Sequence, residues 1–201
     1  QTEATAFNTY DNFKTYAWNL YSIFDDYSYN GEGNPNIMKG DRNSDNLSFS
    51  SAGNESIFAF NRLTPTQNTI DYSYAFIRKV NVMLDHIDVS SMSQGDKDHW
   101  RSVGLFFRSF RYFQLMSVFG DTQWVEHTLT ENDTDILYGE RDPRDLVAKN
   151  ILNDLVWAEQ HIKADGEGSN TINVHVVRAL LSRYTLFEGT WRKYHNLPDA
   201  E

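Results

Sequence analysis

HWRSVGLFFRSFRYFQLMSVFGDTQWV, residues 99–125, is the stretch that decides the fold of this chain. Its aromatic and aliphatic residues recur at helical spacing and cover most of the helix circumference, while Arg108 and Arg111 give one polar edge. A helix of this kind belongs in the middle of a packed protein, so the pattern predicts the core helix of an all-helical domain. The residues assigned to its apolar face are Val103, Phe106, Phe107, Phe110, Phe113 and Val118.

Other helices flank this stretch on both sides. Apolar spacing predicts a first helix over 3–29 and another over 70–89, which a turn at 90–95 separates from the core helix. Gly120 predicts the end of the core helix. Further on, Asp142 as N-cap and Pro143 at the first helical position predict a helix to about 163, and Asn173 predicts the cap of a last helix ending near 194.

The helices after the irregular region group into two pairs, about 70–120 and 142–194. This grouping is typical of tetratricopeptide-like folds, although no repeat consensus recurs at a fixed period. The predicted fold class is therefore all-α, with tetratricopeptide-like helix pairs and one long irregular loop.

That loop covers residues 30–69 and is rich in Gly, Asn, Ser and Pro. A structureless connection of this length inside a compact domain is uncommon unless it has a function. Binding residues concentrate on loops that a rigid scaffold holds. The alternative interpretation is a flexible excursion without a ligand.

Composition excludes several classes of protein. With 18 basic and 28 acidic residues, the net charge is −10, which argues against nucleic acid as a partner because phosphate binding needs clustered Lys and Arg. No apolar run is long enough to span a membrane. The aromatic content of 14% supplies rings that can serve as stacking platforms.

Nothing in the sequence predicts catalysis, a metal or a cofactor. There is no cysteine, and the six histidines show no i, i+4 pairing that would suggest zinc. Asp41, Asn43 and Asp45 match the start of a calcium loop, but Asn46 stands where that loop needs glycine and Ala52 where it needs glutamate. No phosphate loop, dinucleotide fingerprint or nucleophile elbow is present.

Four segments carry a resemblance to a known family. RSFRYFQLMSVFGD (108–121), RDPRD (141–145) before ILNDL (151–155), RALLSRY (178–184) and YAFIRKVN (74–81) occur in the order found in the SusD/RagB family. The chain resembles the N-terminal part of these nutrient-binding outer-membrane lipoproteins of the Bacteroidetes. The resemblance implies a single SusD-like helical domain over 1–201 that continues beyond the end of this chain.

The resemblance also implies a function and a location. A protein of this kind holds glycan or a similar nutrient over a SusC-type TonB-dependent transporter, without turning it over. It lies at the cell surface, on the outer membrane, and touches the membrane only through an N-terminal lipid anchor, expected upstream of Gln1.

The expected ligand-binding residues lie in the 30–69 loop. Sugars present apolar C–H faces and dense hydroxyls, so their sites combine an aromatic ring with placed amides, carboxylates and guanidinium groups. The loop offers this combination in Arg42, Asp45, Asn46, Phe58, Phe60, Asn61 and Arg62. The arrangement of Arg42, Phe58 and Asn61 is similar to that of the family's starch-binding member.

A second interpretation stays open at this point. The same residues can be ordinary turn formers and loop anchors, and the chain would then be a tetratricopeptide-like scaffold that binds a protein or peptide and no small ligand. Exposed aromatic side chains at 30–69 favour the glycan-binding protein, and buried ones favour the scaffold.

Overall fold

The computed structural model describes residues 7–24 and 72–198. The chain forms two compact units, Gln1–Leu20 with Ser73–Glu201 and Tyr21–Tyr72. The expectation of one domain over 1–201 stays a prediction. Within the described residues there is no strand, and the all-α prediction is confirmed. The helices are α1 (Tyr10–Trp18), continued by a 3-10 helix (Asn19–Ile23), α2 (Ala75–Asp85), α3 (Gln94–Phe119), the single turn α4 (Thr134–Leu137), α5 (Arg144–His161) and α6 (Val174–His195).

Helix α3 is the centre of the first unit, as predicted. It contacts α1, α2, α5 and α6, and thirteen of its residues are buried on all sides of the helix. Val118 was wrongly placed in the core, since its side chain is 54% exposed near the end of the helix. Arg108 is not an outer polar edge, because it is 6% exposed and ion-paired.

Helix α3 runs antiparallel to α2, which precedes it in the chain. Its successive residues meet residues of α2 and its flanks in reverse order: Lys97 Nζ donates to the backbone oxygen of Asp88 at 2.9 Å, and Arg111 donates to that of Ser73 at 3.0 Å. Between these contacts Gly104 packs closely against Leu84: a Cβ atom added to Gly104 would lie 2.5 Å from Cδ2 of Leu84. Helices α5 and α6 form the second antiparallel pair, which confirms both predicted pairs.

Two helices are shorter than predicted. Among the described residues the first helix begins at Tyr10, with residues 7–9 outside any helix, and it tightens into the 3-10 turn at Asn19. Helix α2 spans Ala75–Asp85 instead of 70–89. The core helix begins at Gln94, inside the predicted turn, because the backbone N–H of Asp96 donates to the side chain of Ser93, the N-cap.

One helix stop and one helix start were predicted correctly from their capping residues. Gly120 ends α3 with φ +72° and a hydrogen bond from its N–H to the oxygen of Met116, and glycine adopts this left-handed φ without strain. The side chain of Asn173 caps α6 by accepting from the N–H groups of His175 and Val176. Both caps agree with the sequence analysis.

The start of α5 corrects the prediction for Asp142. Pro143 occupies the N-cap position, and the first helical N–H, on Arg144, donates to Asp121 Oδ1 at 2.8 Å. Asp142 instead accepts from the backbone N–H of Trp124 at 2.7 Å. The Gly-Asp pair at 120–121 therefore ends one helix and supplies a hydrogen-bond acceptor to the start of the next.

Candidate functional site

All seven residues that the sequence analysis assigned to ligand binding lie outside the described residues. They are Arg42, Asp45, Asn46, Phe58, Phe60, Asn61 and Arg62. Their assignment, and the exposure of the loop aromatics that separates the two interpretations, stays a prediction. The described first unit offers a site of its own, built around the segment that follows α3.

Side chains hold the backbone of residues 123–125. The hydroxyl of Tyr74 accepts from the N–H of Gln123 at 2.8 Å. The hydroxyl of Tyr112, which is buried on α3, accepts from the N–H of Val125 at 2.7 Å and donates to the oxygen of Gln123 at 3.1 Å. Together with Asp142 on the N–H of Trp124, these contacts satisfy a stretch of backbone that no helix or sheet pairs.

Burial of Tyr112 also keeps its hydroxyl protonated. Desolvation raises the pKa of Tyr112 far above its ordinary value of 10, although the N–H of Val125 and the charge of Arg108 act in the opposite direction. The phenol is therefore a fixed donor and acceptor at any pH at which the fold is stable.

One face of helix α2 forms hydrogen bonds with the backbone of residues 125–129. Arg78, Asn81 and Asp85 lie three and four residues apart, so their side chains point the same way. Arg78 donates to the oxygen of Leu129 at 2.9 Å, and the Asn81 amide donates to the oxygens of Val125 and His127 at 2.9 and 3.1 Å. The Thr128 N–H donates to Asp85 Oδ2 at 2.8 Å. The polar residues of the YAFIRKVN segment thus anchor the 125–129 segment.

A cavity of about 480 Å³ lies between this face of α2 and the anchored segment. Side chains on alternate residues of the segment line it, as expected for extended chain, in which successive side chains point to opposite sides. Its walls are mostly apolar, from Tyr74, Ala75, Ile77, Val125, Leu129 and Leu137. A concave, largely apolar cavity with a few placed polar groups is the usual form of a small-ligand site.

One polar atom in the cavity wall has no partner among the described residues. Asn81 is fully buried. Its amide nitrogen donates to two backbone oxygens, which identifies that atom as the nitrogen and the other side-chain atom as the acceptor Oδ1. No hydrogen bond reaches that Oδ1. A buried acceptor without a donor costs free energy, about 1–3 kcal/mol, which a donor from a ligand or a water molecule would recover.

The rim of the cavity is polar. Asp133 accepts from both the N–H and the hydroxyl of Thr130, at 2.7 and 2.8 Å, and these hydrogen bonds lower the pKa of its carboxyl. His127 Nε2 lies 3.7 Å from the Asp133 carboxylate. Gln123 donates to the oxygens of Ile136 and Gly139, which fixes the turn α4 at this edge.

The site residues Arg78, Asn81 and Gln123 were not singled out from the sequence. The available signal was the i, i+3 spacing of Arg78 and Asn81 within an otherwise apolar helix. In the described part of the chain, no group of three or more His, Asp or Glu residues could hold a metal ion. None of the helices in that part is long and apolar enough to cross a membrane.

A family model matches most of the chain. The model describes SusD-like proteins as starch-binding and associating with the outer membrane, and it matches residues 5–186. A comparison with curated proteins gives no match.

Solved structures share the fold. A SusD-like protein from Bacteroides fragilis superposes with a TM-score of 0.69 at 20% identity, over 94% of this chain and 37% of that one. A second SusD-like carbohydrate-binding protein from that species gives 0.61 at 20% identity, over 94% and 39%. A laminarin-binding SusD-like protein gives 0.52 at 18% identity, over 58% and 25%. The chain therefore spans less than two fifths of the length of these structures.

Proposed function

The chain belongs to the SusD-like family, and we propose that it binds a glycan at the cell surface and delivers oligosaccharide to a SusC-type TonB-dependent outer-membrane transporter. The observation that carries the proposal is the match of the family model over residues 5–186. The similar structures include one described as carbohydrate-binding and one described as laminarin-binding, which supports a neutral glycan as the ligand class.

The proposed glycan contacts are the loop residues Arg42, Asp45, Asn46, Phe58, Phe60, Asn61 and Arg62. An aromatic ring packs against the C–H face of a sugar, while guanidinium and amide groups donate to its hydroxyls and carboxylates accept from them. In this proposal Phe58 supplies the ring and Arg42 the strongest donor. Binding proceeds without cleavage, since no pair of apposed carboxylates is predicted by motif.

The cavity beside α2 is the proposed site of the helical unit. Its apolar walls can cover one ring face, and Asn81 Oδ1 can accept from a hydroxyl that enters with it. Leu137 lies at the wall and is 45% exposed, so Leu137→Trp narrows the cavity without removing any of the hydrogen bonds that hold the 123–129 segment.

Affinity electrophoresis against immobilised starch and laminarin tests the proposal. We expect the full-length protein to be retarded, and Phe58→Ala and Arg42→Ala to run about as fast as in a gel without glycan. Phe49→Ala and Lys39→Ala, which remove another phenylalanine and another basic side chain from the same loop, are the controls and should stay retarded. Equal retardation of all four variants would contradict the assignment of Phe58 and Arg42 to glycan binding.

Three further measurements test the cavity, the absence of turnover and the transporter partnership. Leu137→Trp should reduce retardation if the cavity takes part of the glycan. Incubation of the purified protein with each polysaccharide should release no reducing sugar, and release would contradict binding without turnover. Co-purification of the tagged protein with a TonB-dependent barrel from outer membranes tests the transporter partnership.

A further inference from the structure

A second cavity in the first unit is a polar cleft of about 580 Å³ between α2, α3 and α5. The anchored segment separates it from the apolar cavity: Val125 and His127 face that cavity, and Glu126, between them, faces the cleft. Its other polar and aromatic lining residues are Asp85, Asp88, Arg101, Arg108, Asn153, Asp154 and Trp157. None of them was assigned to ligand binding from the sequence.

A buried ion pair forms the floor of the cleft. Arg108 donates through Nε and one terminal nitrogen to both carboxylate oxygens of Asp154, at 2.8 and 2.9 Å. Its other terminal nitrogen donates to the backbone oxygen of Glu126 at 3.2 Å. The paired, doubly hydrogen-bonded geometry holds both side chains in place. The cleft therefore has a rigid base joining α3 to α5.

An indole ring forms one wall. His161, one turn along α5 from Trp157, stacks on its ring with centroids 4.0 Å apart and planes 10° from parallel, and the imidazole is fixed by a 2.8 Å contact from Nδ1 to the backbone oxygen of Trp157. The guanidinium carbon of Arg101 lies 5.9 Å from the indole centroid. His161 covers one face of the indole, so a ligand would pack on the opposite face, and a ring held this firmly loses little entropy when it does so.

Hydrogen-bond donors and acceptors surround the indole ring of Trp157. Asn153 exposes a side-chain amide, and Glu126 uses one carboxylate oxygen to accept from the Trp124 indole at 2.8 Å, which leaves the second oxygen for an outside donor. Asp85 likewise uses Oδ2 on the Thr128 N–H and keeps Oδ1. An aromatic wall with neighbouring amide and carboxylate groups matches a sugar ring, which has apolar faces and hydroxyls at its edges.

The charges of the cleft select the kind of sugar. Arg108 is balanced by Asp154, and Arg101 is ion-paired with Asp88, so the carboxylates of Asp85 and Glu126 remain as a surplus of negative charge. A uronate or sulfated sugar would bring like charge into the cleft and be repelled. An uncharged sugar is not repelled by these carboxylates.

We propose that the cleft between α2, α3 and α5 is a second carbohydrate subsite, selective for uncharged sugars, in which Trp157 stacks on the ring. The proposal rests on the proposed glycan-binding function and adds to it a site separate from the loop residues.

Fluorine NMR of the full-length protein labelled with 5-fluorotryptophan tests the proposal. The chain has 5 tryptophans, and Trp157→Phe and Trp191→Phe assign the two resonances that matter. Trp191 is the matched control, because it also stacks on the histidine one turn along, with centroids 3.8 Å apart, and carries an arginine at 4.4 Å, but lies on α6 away from the cleft. Maltoheptaose and laminariheptaose are the neutral probes, and an oligogalacturonide of the same length is the anionic one.

We expect both or one of the neutral probes to shift the Trp157 resonance and leave that of Trp191 in place, with little effect from the oligogalacturonide. Trp157→Ala should weaken this second binding event about tenfold or more in titration calorimetry and leave the loop-dependent event, which Phe58→Ala removes. In the double variant Asp85→Asn with Glu126→Gln, which keeps the size of each side chain and one acceptor oxygen on it but removes the charges, the oligogalacturonide should gain affinity.

The outcomes separate the two proposals. Retardation on starch or laminarin gels with an unmoved Trp157 resonance would overturn the second subsite and leave the proposed function standing. Neither retardation nor a shift would overturn both. A Trp157 shift with a lysine-rich peptide or the oligogalacturonide, and none with either neutral probe, would overturn the assignment to uncharged sugars.

Discussion

At the scale of single residues, buried side chains in this protein take over the hydrogen bonding of irregular backbone. Tyr112 pairs with the N–H of one residue and the oxygen of another in the 123–125 segment, and Asn81 pairs with two backbone oxygens of the 125–127 segment. Loops that are tied in this way keep the geometry of the surfaces beside them. Both cavities described above share this segment as a wall.

A buried histidine at the start of α3 makes stability depend on pH. His99 is fully buried, and desolvation, helped by the charge of Lys163, lowers its pKa to about 4, although Glu167 and Asp96 act in the opposite direction. The unfolded chain, with a pKa of 6.5, takes up this proton first as the pH falls. Stability due to neutral His99 is therefore present above pH 6.5 and lost between 6.5 and 4.

We expect the free energy of unfolding to fall by about 2 kcal/mol between pH ~7.5 and ~5 because of His99 alone. Urea denaturation across that range measures it. In His99→Gln the slope should be much smaller, and in His175→Gln, which changes an exposed histidine, it should stay as in the wild type. An unchanged slope in His99→Gln would contradict the assignment. Asp96 and Glu167, whose pKa values are lowered, contribute only at more acid pH.

Asp121 offers a second prediction at this scale. Its carboxylate accepts from the first helical N–H of α5, a role equivalent to that of an N-cap. Asp121→Ala should lower the free energy of unfolding by about 1 kcal/mol. Asp165→Ala, which removes an exposed loop carboxylate, is the control and should change the denaturation midpoint little; equal effects of the two would argue against the capping role.

At the scale of helices, the α5–α6 pair is joined by charges at both ends, with very different burial. Near the start of α5, Arg144 donates to both oxygens of Glu188 at 3.0 and 2.6 Å, and Arg192 completes the group through Glu188 and Asp145. At the other end, Arg178 pairs with Glu159, but the arginine is 59% exposed. Burial, and not the number of ion pairs, decides what each contributes.

These two ends provide a matched comparison. Glu188→Ala should lower the free energy of unfolding by about 3 kcal/mol, because it removes the carboxylate that two largely buried guanidinium groups share and leaves them only the more exposed Asp145. Glu159→Ala should cost about 0.5 kcal/mol or less, since solvent screens the exposed pair. Chemical denaturation of both variants measures the difference, and a similar cost for the two would show that burial does not govern these pairs.

Helix ends were easier to predict from the sequence than helix partners. Gly120 and Asn173 carry their capping role in their own chemistry, so their neighbours in sequence are enough. The cap of α5 was assigned to Asp142 because it precedes Pro143, whereas the acceptor comes from Asp121 in another turn. Arg108 was taken as an outer edge because its partner, Asp154, is 46 residues away.

At the scale of the whole molecule, the net charge of −10 sets the long-range electrostatics. A chain of this charge repels polyanions, and its binding of an uncharged glycan should not depend on ionic strength. We expect retardation on neutral polysaccharide gels to be the same within about twofold between ~50 mM and ~500 mM salt. No retention on heparin is expected over that range. A steep loss of glycan retardation with salt would indicate an ionic ligand.

The sequence by itself determined that the protein is helical, which helix is central and which family it belongs to, because apolar periodicity and capping residues act over a few positions. Only the tertiary structure decided which polar residues meet. Arg108 with Asp154, Asp121 with α5, and Trp157 with Glu126 come together through the packing of α2, α3 and α5. Periodicity assigns a residue to a face of its helix, but the register between helices determines what stands opposite, and that register depends on packing across the whole core.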